Sequence, residues 1–268
     1  TRLILWHARG APEPVRFAAS ELSDYLDRMT GRRVDVLEAP DDAWPALELR
    51  GGSTEKPPTE STSIGEELGR RLLPVPAHYE TSPGVDAFLW RSGDGRVAIA
   101  GTNPRSVLYS VYDLLEELGC RFYGASLDDE VVPHLDDHPF ERTVERFEQA
   151  TFPFRERHFL EWIDAEATRR EIDHAAKRRI NGFSFHIEDF APDPVAWGAV
   201  LAELVPEIAR RGLMPGIGEH GGYPLFLPPE RYAAAHPDWY AQIDGRRVGG
   251  FRGSERYQFC TENPDALA

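Results

Sequence analysis

An alternating apolar run, TRLILWHA, opens the chain and predicts a strand. Behind it, PEPVRFAASELSDYLDRMTG sets Val15, Ala18, Ala19, Leu22, Tyr25, Leu26 and Met29 at helical spacing, with prolines at its start and Gly31 at its end. RRVDVLEA and ALELRGG predict two further strands. Residues 51 to 83 are rich in Ser, Thr, Pro and Glu, the composition of a loop, with a helical turn expected around IGEELGRRL. DAFLWRSGDGRVAIAG carries two strand-like runs about Asp94-Gly95, a pair suited to a tight hairpin turn. In GTNPRSVLYSVYDLLEELG the apolar positions Val107, Leu108, Val111, Leu114, Leu115 and Leu118 share one helical face, and Gly119 ends it. CRFYG and EVVPHL close the pattern. The expected unit is an α/β sandwich over residues 1–136.

Residues 137–153 are charged and read as a linker. From 154 to 268, strand and helix patterns alternate. FRERHFLEW is a strand, DAEATRREIDHAAKRRI a helix and NGFSFHI a strand. PVAWGAVLAELVPEIARRG is a helix with Leu201, Leu204, Val205 and Ile208 inward, and LMPGIGEHGG is a strand with its loop. Repeated βα units predict a parallel sheet, wound open or closed into a barrel. ENPDALA looks like the first turn of a helix, with Asn263 as its cap and Pro264 following. A complete (β/α)8 barrel takes about 250 residues. Residues 154–268 suffice for the first three βα units, so either the parent chain is expected to continue past Ala268 or the chain is a remnant.

The charge balance narrows the partners. With 30 basic and 45 acidic residues, the formal charge of -15 repels phosphate backbones, and no nucleic-acid partner is expected. No apolar run approaches the roughly 18 residues of a membrane span, so no membrane partner is expected either. No signal-peptide pattern is visible at Thr1, which leaves cytoplasmic and secreted locations both open. Lys56 and Lys177 are the only lysines, which fits either a GC-rich coding bias or adaptation to high salt. Cys120 and Cys260 stand in apolar contexts and are expected as free thiols. Without CxxC or HExxH spacing, no structural zinc or zincin site is expected.

GTNPRS poses a choice between a phosphate-binding loop and a structural joint. A phosphate loop needs clustered glycines before the helix and a Lys with Ser or Thr on it; Gly101 is followed by no second glycine. Taken whole, AIAGTNPRSVLYSVYDLLEELGCRFYG resembles the N-terminal domain of α-glucuronidases of glycoside hydrolase family 67, and the related domain in front of β-hexosaminidase-type barrels. Gly101, Leu108, Tyr109, Tyr112, Leu114, Leu115, Glu116, Gly119, Cys120, Arg121, Tyr123 and Val131-Val132-Pro133 follow that domain's order. FPFRER, RRINGFSFH, LMPGIGEHGGYPLFLPPERYAAAHPDWYAQIDGRR and YQFCTENPDA extend the resemblance to glycosidase-like barrels carrying the same domain. The resemblance implies an N-terminal α/β domain followed by the first part of a TIM-type (β/α)8 barrel, without a cofactor. It also implies that the catalytic carboxylates lie on later strands, past Ala268.

In such barrels active residues project from the C-terminal ends of strands. Arg155, on the first strand, either clamps a substrate carboxylate, as a uronic acid would offer, or pairs with a neighbouring barrel carboxylate. Trp162 is either a sugar-stacking face or a core residue. His186 ends the second strand on the face of Ser184 and is a candidate ligand of sugar hydroxyls, while Glu188 and Asp189 suit a cap or solvent. The third strand ends in Gly218-Glu219-His220-Gly221-Gly222, where the glycines allow close backbone approach to a ligand. The resemblance puts His220 in the pocket; Glu219 either joins it or pairs with a neighbouring strand. A metal on His186, Glu219 and His220 is conceivable on this one rim, but glycosidases of the resembled type need none, and none is expected. Tyr223, Trp239 and Tyr240 are stacking candidates or loop packing, and Tyr109, Tyr112 and Arg121 read as packing.

The expectation is a glycoside hydrolase acting on poly- or oligosaccharides, uronic-acid-containing chains among the candidates. This chain would carry the N-terminal domain and part of the cleft, and would be inactive alone. The alternative is a non-catalytic carbohydrate-binding protein; a third option is an open α/β sheet of another enzyme class. Exposed strand edges would favour aggregation or pairing with another copy.

Overall fold

A computed structural model describes residues 3–39, 46–51, 61–74, 84–136, 139–159, 164–186, 194–218, 227, 229–247, 251–252, 255–256 and 259–266. The chain gathers into two compact units. The first takes Thr1–Arg157, Ile163–Phe183 and Val200–Pro215; the second takes His158–Trp162, Ser184–Ala199 and Gly216–Ala268.

The first unit begins with β1 (Leu3–Ala8), α1 (Glu13–Thr30), β2 (Val34–Ala39), β3 (Ala46–Gly51) and α2 (Ser61–Arg71). It continues with β4 (Ala87–Gly93), β5 (Arg96–Gly101), α3 (Pro104–Glu117), β6 (Arg121–Phe122), β7 (Glu130–Val131) and β8 (Val144–Gln149). Six strands form one sheet in the order β2-β1-β3-β5-β4-β8, and β6 pairs with β7. β1 and β2 are parallel because α1 carries the chain back along the sheet; the other pairs of this sheet are antiparallel.

Alternation along the strands gives the sheet two apolar faces. Ala87, Leu89 and Ala100 pack with Ile64 and Leu68 of α2. On the opposite face Trp90 is fully buried and its Nε1 donates to Asp113 of α3 at 2.7 Å. α1 packs against α3 on that side. The hairpin turns at Asp94 and Gly95, whose φ values of 52° and 72° are those of the expected primed turn.

GTNPRS is a structural joint. Asn103 caps α3, its Oδ1 accepting from the Ser106 amide at 3.0 Å, and Pro104 takes the first helical position. A Cβ on Gly101 would lie 2.7 Å from the Val107 nitrogen, so only glycine lets strand and helix meet this closely.

Two expectations need correction in this unit. Residues 137–153, read as a linker from their charge, contain β8, which pairs with β4 from Ala87 to Ser92. The charges belong to an edge strand: Glu145 accepts from Arg91 Nε at 2.8 Å, while Phe147 packs against the cluster under α2. α2 is eleven residues long and not a single turn, since Ile64 and Leu68, four apart, both reach the sheet.

The chain continues through β9 (Glu156–Phe159), α4 (Ala165–Lys177), β10 (Gly182–His186), α5 (Pro194–Arg210) and β11 (Met214–Gly218). The strands pair in the order β11-β10-β9. The amides of Asn181 and Gly182 donate to the Arg155 carbonyl, and the Met214 amide donates to the Asn181 carbonyl. The strands therefore start side by side and run parallel, each pair joined through a helix. Asp164 caps α4, accepting from the Ala167 amide at 2.7 Å. In α5 Leu204 and Ile208 are buried, but Val205, expected inward, is 38% exposed. It lies one position round the helix from Leu204, at the margin of the apolar stripe.

The second unit includes a short helix α6 (Pro229–Tyr232) and a hairpin of β12 (Gln242–Ile243) and β13 (Arg246–Arg247). Asp244 and Gly245 turn that hairpin with φ of 48° and 77°. Tyr240 is buried, donates to the Leu227 carbonyl at 3.0 Å and bridges to Phe259. Asn263 caps a closing 3-10 turn, accepting from the Asp265 amide at 2.9 Å. Among the described residues no helix is long and apolar enough to cross a membrane.

Candidate functional site

His186 is the last residue of β10 and Gly218 the last of β11. Trp162, Glu219, His220, Tyr223, Glu188 and Asp189 lie outside the described residues. One strand position earlier, a polar pair comes together that composition and motif did not single out. His158 of β9 has its Nδ1 2.8 Å from Ser184 Oγ of β10. Ser184 is buried between Phe183 and Phe185, which alternate to the other face of the strand. A serine buried in mid-strand lacks the exposed turn of a nucleophile, so the pair suits hydrogen bonding and orientation better than covalent catalysis. The signal that could have found it is period-2 alternation, which puts Ser184 and His158 on the polar sides of FSFH and RHF.

Arg155 precedes β9, at the strand's start. Its Nη2 donates to Asp86 at 2.6 Å, its Nε to the Arg179 carbonyl at 2.8 Å and its Nη1 to the Phe152 carbonyl at 2.7 Å. Its carboxylate partner comes from the sheet of the first unit, just ahead of β4, and not from a neighbouring strand of the β11-β10-β9 sheet. Asp86, 4% exposed, also accepts from Asn103 at 2.8 Å, Arg105 at 2.8 Å and Asn181 at 3.0 Å. Asn181 fills its remaining valences with the Arg155 amide and the Pro153 carbonyl. Two guanidinium groups and two amides around one carboxylate satisfy a buried charge that would otherwise be costly.

A second buried carboxylate, Asp113, accepts from Trp90 and from Arg179 at 2.6 Å. Arg179 follows α4 with φ at 60°, the left-handed conformation usual for glycine at a helix end. Its side chain explains the exception: besides Asp113 it reaches Glu148 at 2.9 Å and Glu116 at 3.2 Å. Tyr109 donates to the Ile180 carbonyl at 2.7 Å, and burial, with Asp86 nearby, pushes its phenol well above the usual range. A cavity of about 200 Å³ beside this network is lined by Asp86, Tyr109, Glu148, Arg155 and Arg179, all already engaged with one another.

The two thiols differ. Burial pushes Cys120 up to about 11, whereas Arg247 and the Glu262 and Asn263 backbone hold Cys260 below its ordinary value. Both are free. Of the loop aromatics, Tyr240 is committed to packing, and Trp239 stacks on His236 with ring centroids 4.0 Å apart. Among the described residues no group of three or more His, Cys, Asp or Glu side chains is placed to hold a metal ion.

The described elements define a mixed α/β protein. No protein-family model matches the chain, and a search of curated proteins finds no match.

Proposed function

We propose that the protein is the N-terminal part of a glycoside hydrolase of α-glucuronidase-like architecture. In this reading the six-stranded unit is the N-terminal domain, β9 to β11 begin a (β/α)8 barrel, and His186 and His220 contribute hydroxyl ligands to its sugar cleft. The observation that supports it most is the run β9-α4-β10-α5-β11, whose parallel strands lie side by side in chain order, as the first units of a barrel would. The motif order of the N-terminal domain and the His-Gly-Gly sequence that follows β11 agree with it.

The test is calorimetric titration of the chain with xylo-oligosaccharides, with and without a glucuronic acid branch. Saturable binding that falls at least tenfold in His186→Ala and His220→Ala is expected, about 1.4 kcal/mol or more for each lost ligand. Hydrolysis by this chain is not expected, because the reading puts the acid and base on later strands. Absence of sugar binding, binding indifferent to both substitutions, or turnover of a glucuronide would each refute it.

A further inference from the structure

Phe17, Glu21, Tyr25 and Arg28 repeat at three- and four-residue steps along α1 and so form one stripe on it. Cations from later in the chain cover both ends of that stripe. Arg210, which closes α5, and Arg211 after it lie over the Phe17 ring, 4.4 and 4.6 Å from its centroid. Lys177 of α4 lies 5.4 Å from the centroid of the Tyr25 ring and 5.0 Å from that of Phe122. Asp173, one turn before Lys177, bonds a cation at each end: Lys177 at 2.7 Å and Arg211 at 2.8 Å. The carboxylate that joins the two ends therefore stands opposite the middle of the stripe, where Glu21 is.

Glu21 differs from the other carboxyls of this cluster. Glu130 of β7 accepts from Tyr25 and pairs with Lys177 at 3.4 Å and Arg28 at 3.5 Å. Glu207 of α5 pairs with Arg211 at 2.7 Å and Arg210 at 3.2 Å. Asp173 has its two cations. Glu21 has no ion-pair partner among the described residues; the Tyr112 hydroxyl of α3 donates to it at 2.8 Å. A phenol supplies a hydrogen bond and no charge. Lys177 and Arg211 are already shared among Asp173, Glu130 and Glu207, so ionised Glu21 would face ionised Asp173. The neutral acid suits the place better. Burial, and after it the Asp173 charge, push the Glu21 carboxyl up, and the Tyr112 bond, Lys177 and Arg211 do not cancel the rise.

We propose that this cluster is a proton-operated latch holding α4 and the end of α5 on α1 and α3. Protonated Glu21 keeps the latch closed; once ionised, it repels Asp173 and α4 loosens. Opening returns Glu21 to its ordinary value of 4.5, so the open form binds the proton less tightly than the closed one. Opening is therefore favoured as pH rises above 4.5, by at most about tenfold per pH unit, and levels off once Glu21 is ionised in the closed form as well. Asp173 acts in the other sense and outside that window, because its carboxyl is held below 3.8. Burial pushes the Tyr112 phenol well above 10, so it remains a donor throughout.

The test is hydrogen exchange of the full chain, read segment by segment at half-unit steps from pH 5 to pH 8 and corrected for the chemical rate. The unaltered protein is compared with Glu21→Gln and Tyr112→Phe. At pH 8 the amides of α4 should open more readily than those of the β4–β5 hairpin, and with a smaller urea dependence, since the sheet stays folded while the latch opens. Towards pH 5 the opening of α4 should fall by about threefold or more. Glu21→Gln should hold α4 at its pH 5 level up to pH 8, which separates Glu21 from the histidines. Tyr112→Phe withdraws the donor that favours ionised Glu21, so it should move the loosening to higher pH. The proposal falls if α4 opens only together with the hairpin at pH 8, or if its opening is the same at pH 5 and pH 8. It also falls if Glu21→Gln leaves the pH response in place. Should Glu21→Gln not fold, a pH response that Tyr112→Phe fails to move would overturn it equally.

Discussion

Glu21 and Asp173 are half-buried carboxyls near one another whose proton affinities move in opposite directions. Glu21 of α1 accepts from the Tyr112 hydroxyl at 2.8 Å, and burial pushes its carboxyl above the ordinary value, with the Asp173 charge adding to the rise. For Asp173 burial also acts upward, but Lys177 at 2.7 Å and Arg211 at 2.8 Å outweigh it and hold the carboxyl low. The consequences for stability have opposite signs. A carboxyl that binds its proton more tightly when folded stabilises the fold at acid pH, and that contribution is lost as pH rises from the unfolded value of 4.5 through the folded one. Asp173 contributes above its unfolded value of 3.8 and loses that contribution as pH falls. Glu21→Gln keeps an acceptor for Tyr112 and removes the ionisation. Urea midpoints should therefore place Glu21→Gln above the unaltered protein at pH 7 to 8, with the gap closing near pH 4.5. A gap independent of pH would mean that Glu21 ionises as freely in the fold as in water. None of this was legible beforehand, because Glu21, Tyr112 and Asp173 lie on three different helices and local spacing carries no trace of their meeting.

Helices and strands were more legible where a local pattern and a turn residue agree. α1, α3 and the β4–β5 hairpin end close to where apolar spacing and glycines predict. β8 was missed for a physical reason: an edge strand needs only one apolar side, and its solvent side is charged to discourage pairing. α2 was underestimated because loop-like composition hid two apolar residues a turn apart. Strands β10 and β11 were legible in the alternation of helix and strand patterns, whereas Arg155 sits at the start of its strand, held by a carboxylate 69 positions away. The joint before α3 makes a sharp test of element geometry. Replacing glycine by alanine usually stabilises by about 0.4–1 kcal/mol when the backbone and space allow. At Gly101 the added Cβ would press on the backbone of Ser106 and Val107, so overpacking of about 1–3 kcal/mol should win. In Gly65→Ala a Cβ would meet nothing within 4 Å, and a gain of up to about 1 kcal/mol is expected for this helix-interior position. Chemical denaturation that finds Gly101→Ala as stable as the unaltered protein, or more so, would show that the close approach at Gly101 can relax.

Composition changes at residues 137–153, yet the contacts of the first unit do not stop there. Two of its buried carboxylates take partners from later in the chain: Asp86 from Arg155 and Asn181, Asp113 from Arg179. Tyr109 of α3 donates to the Ile180 carbonyl, and Arg211 binds Asp173 beneath Phe17 of α1. Long-range pairs of this kind leave no signature in sequence spacing, which is why a boundary drawn from charge cannot anticipate them. They do have an energetic consequence. Taking away one member of a buried ion pair leaves the other charge uncompensated, at a cost of about 3–5 kcal/mol. A fragment of residues 1–153 retains Arg105 beside Asp86 and Trp90 beside Asp113, but lacks Arg155, Arg179 and Asn181. A fragment of residues 1–215 keeps them all. The shorter fragment should therefore unfold at markedly lower urea than the longer one, and Asp86→Asn should destabilise the longer fragment far more than the shorter. Matching midpoints, or an Asp86→Asn effect of the same size in both, would show that the sheet with α1 to α3 is self-sufficient and that these ion pairs merely decorate it.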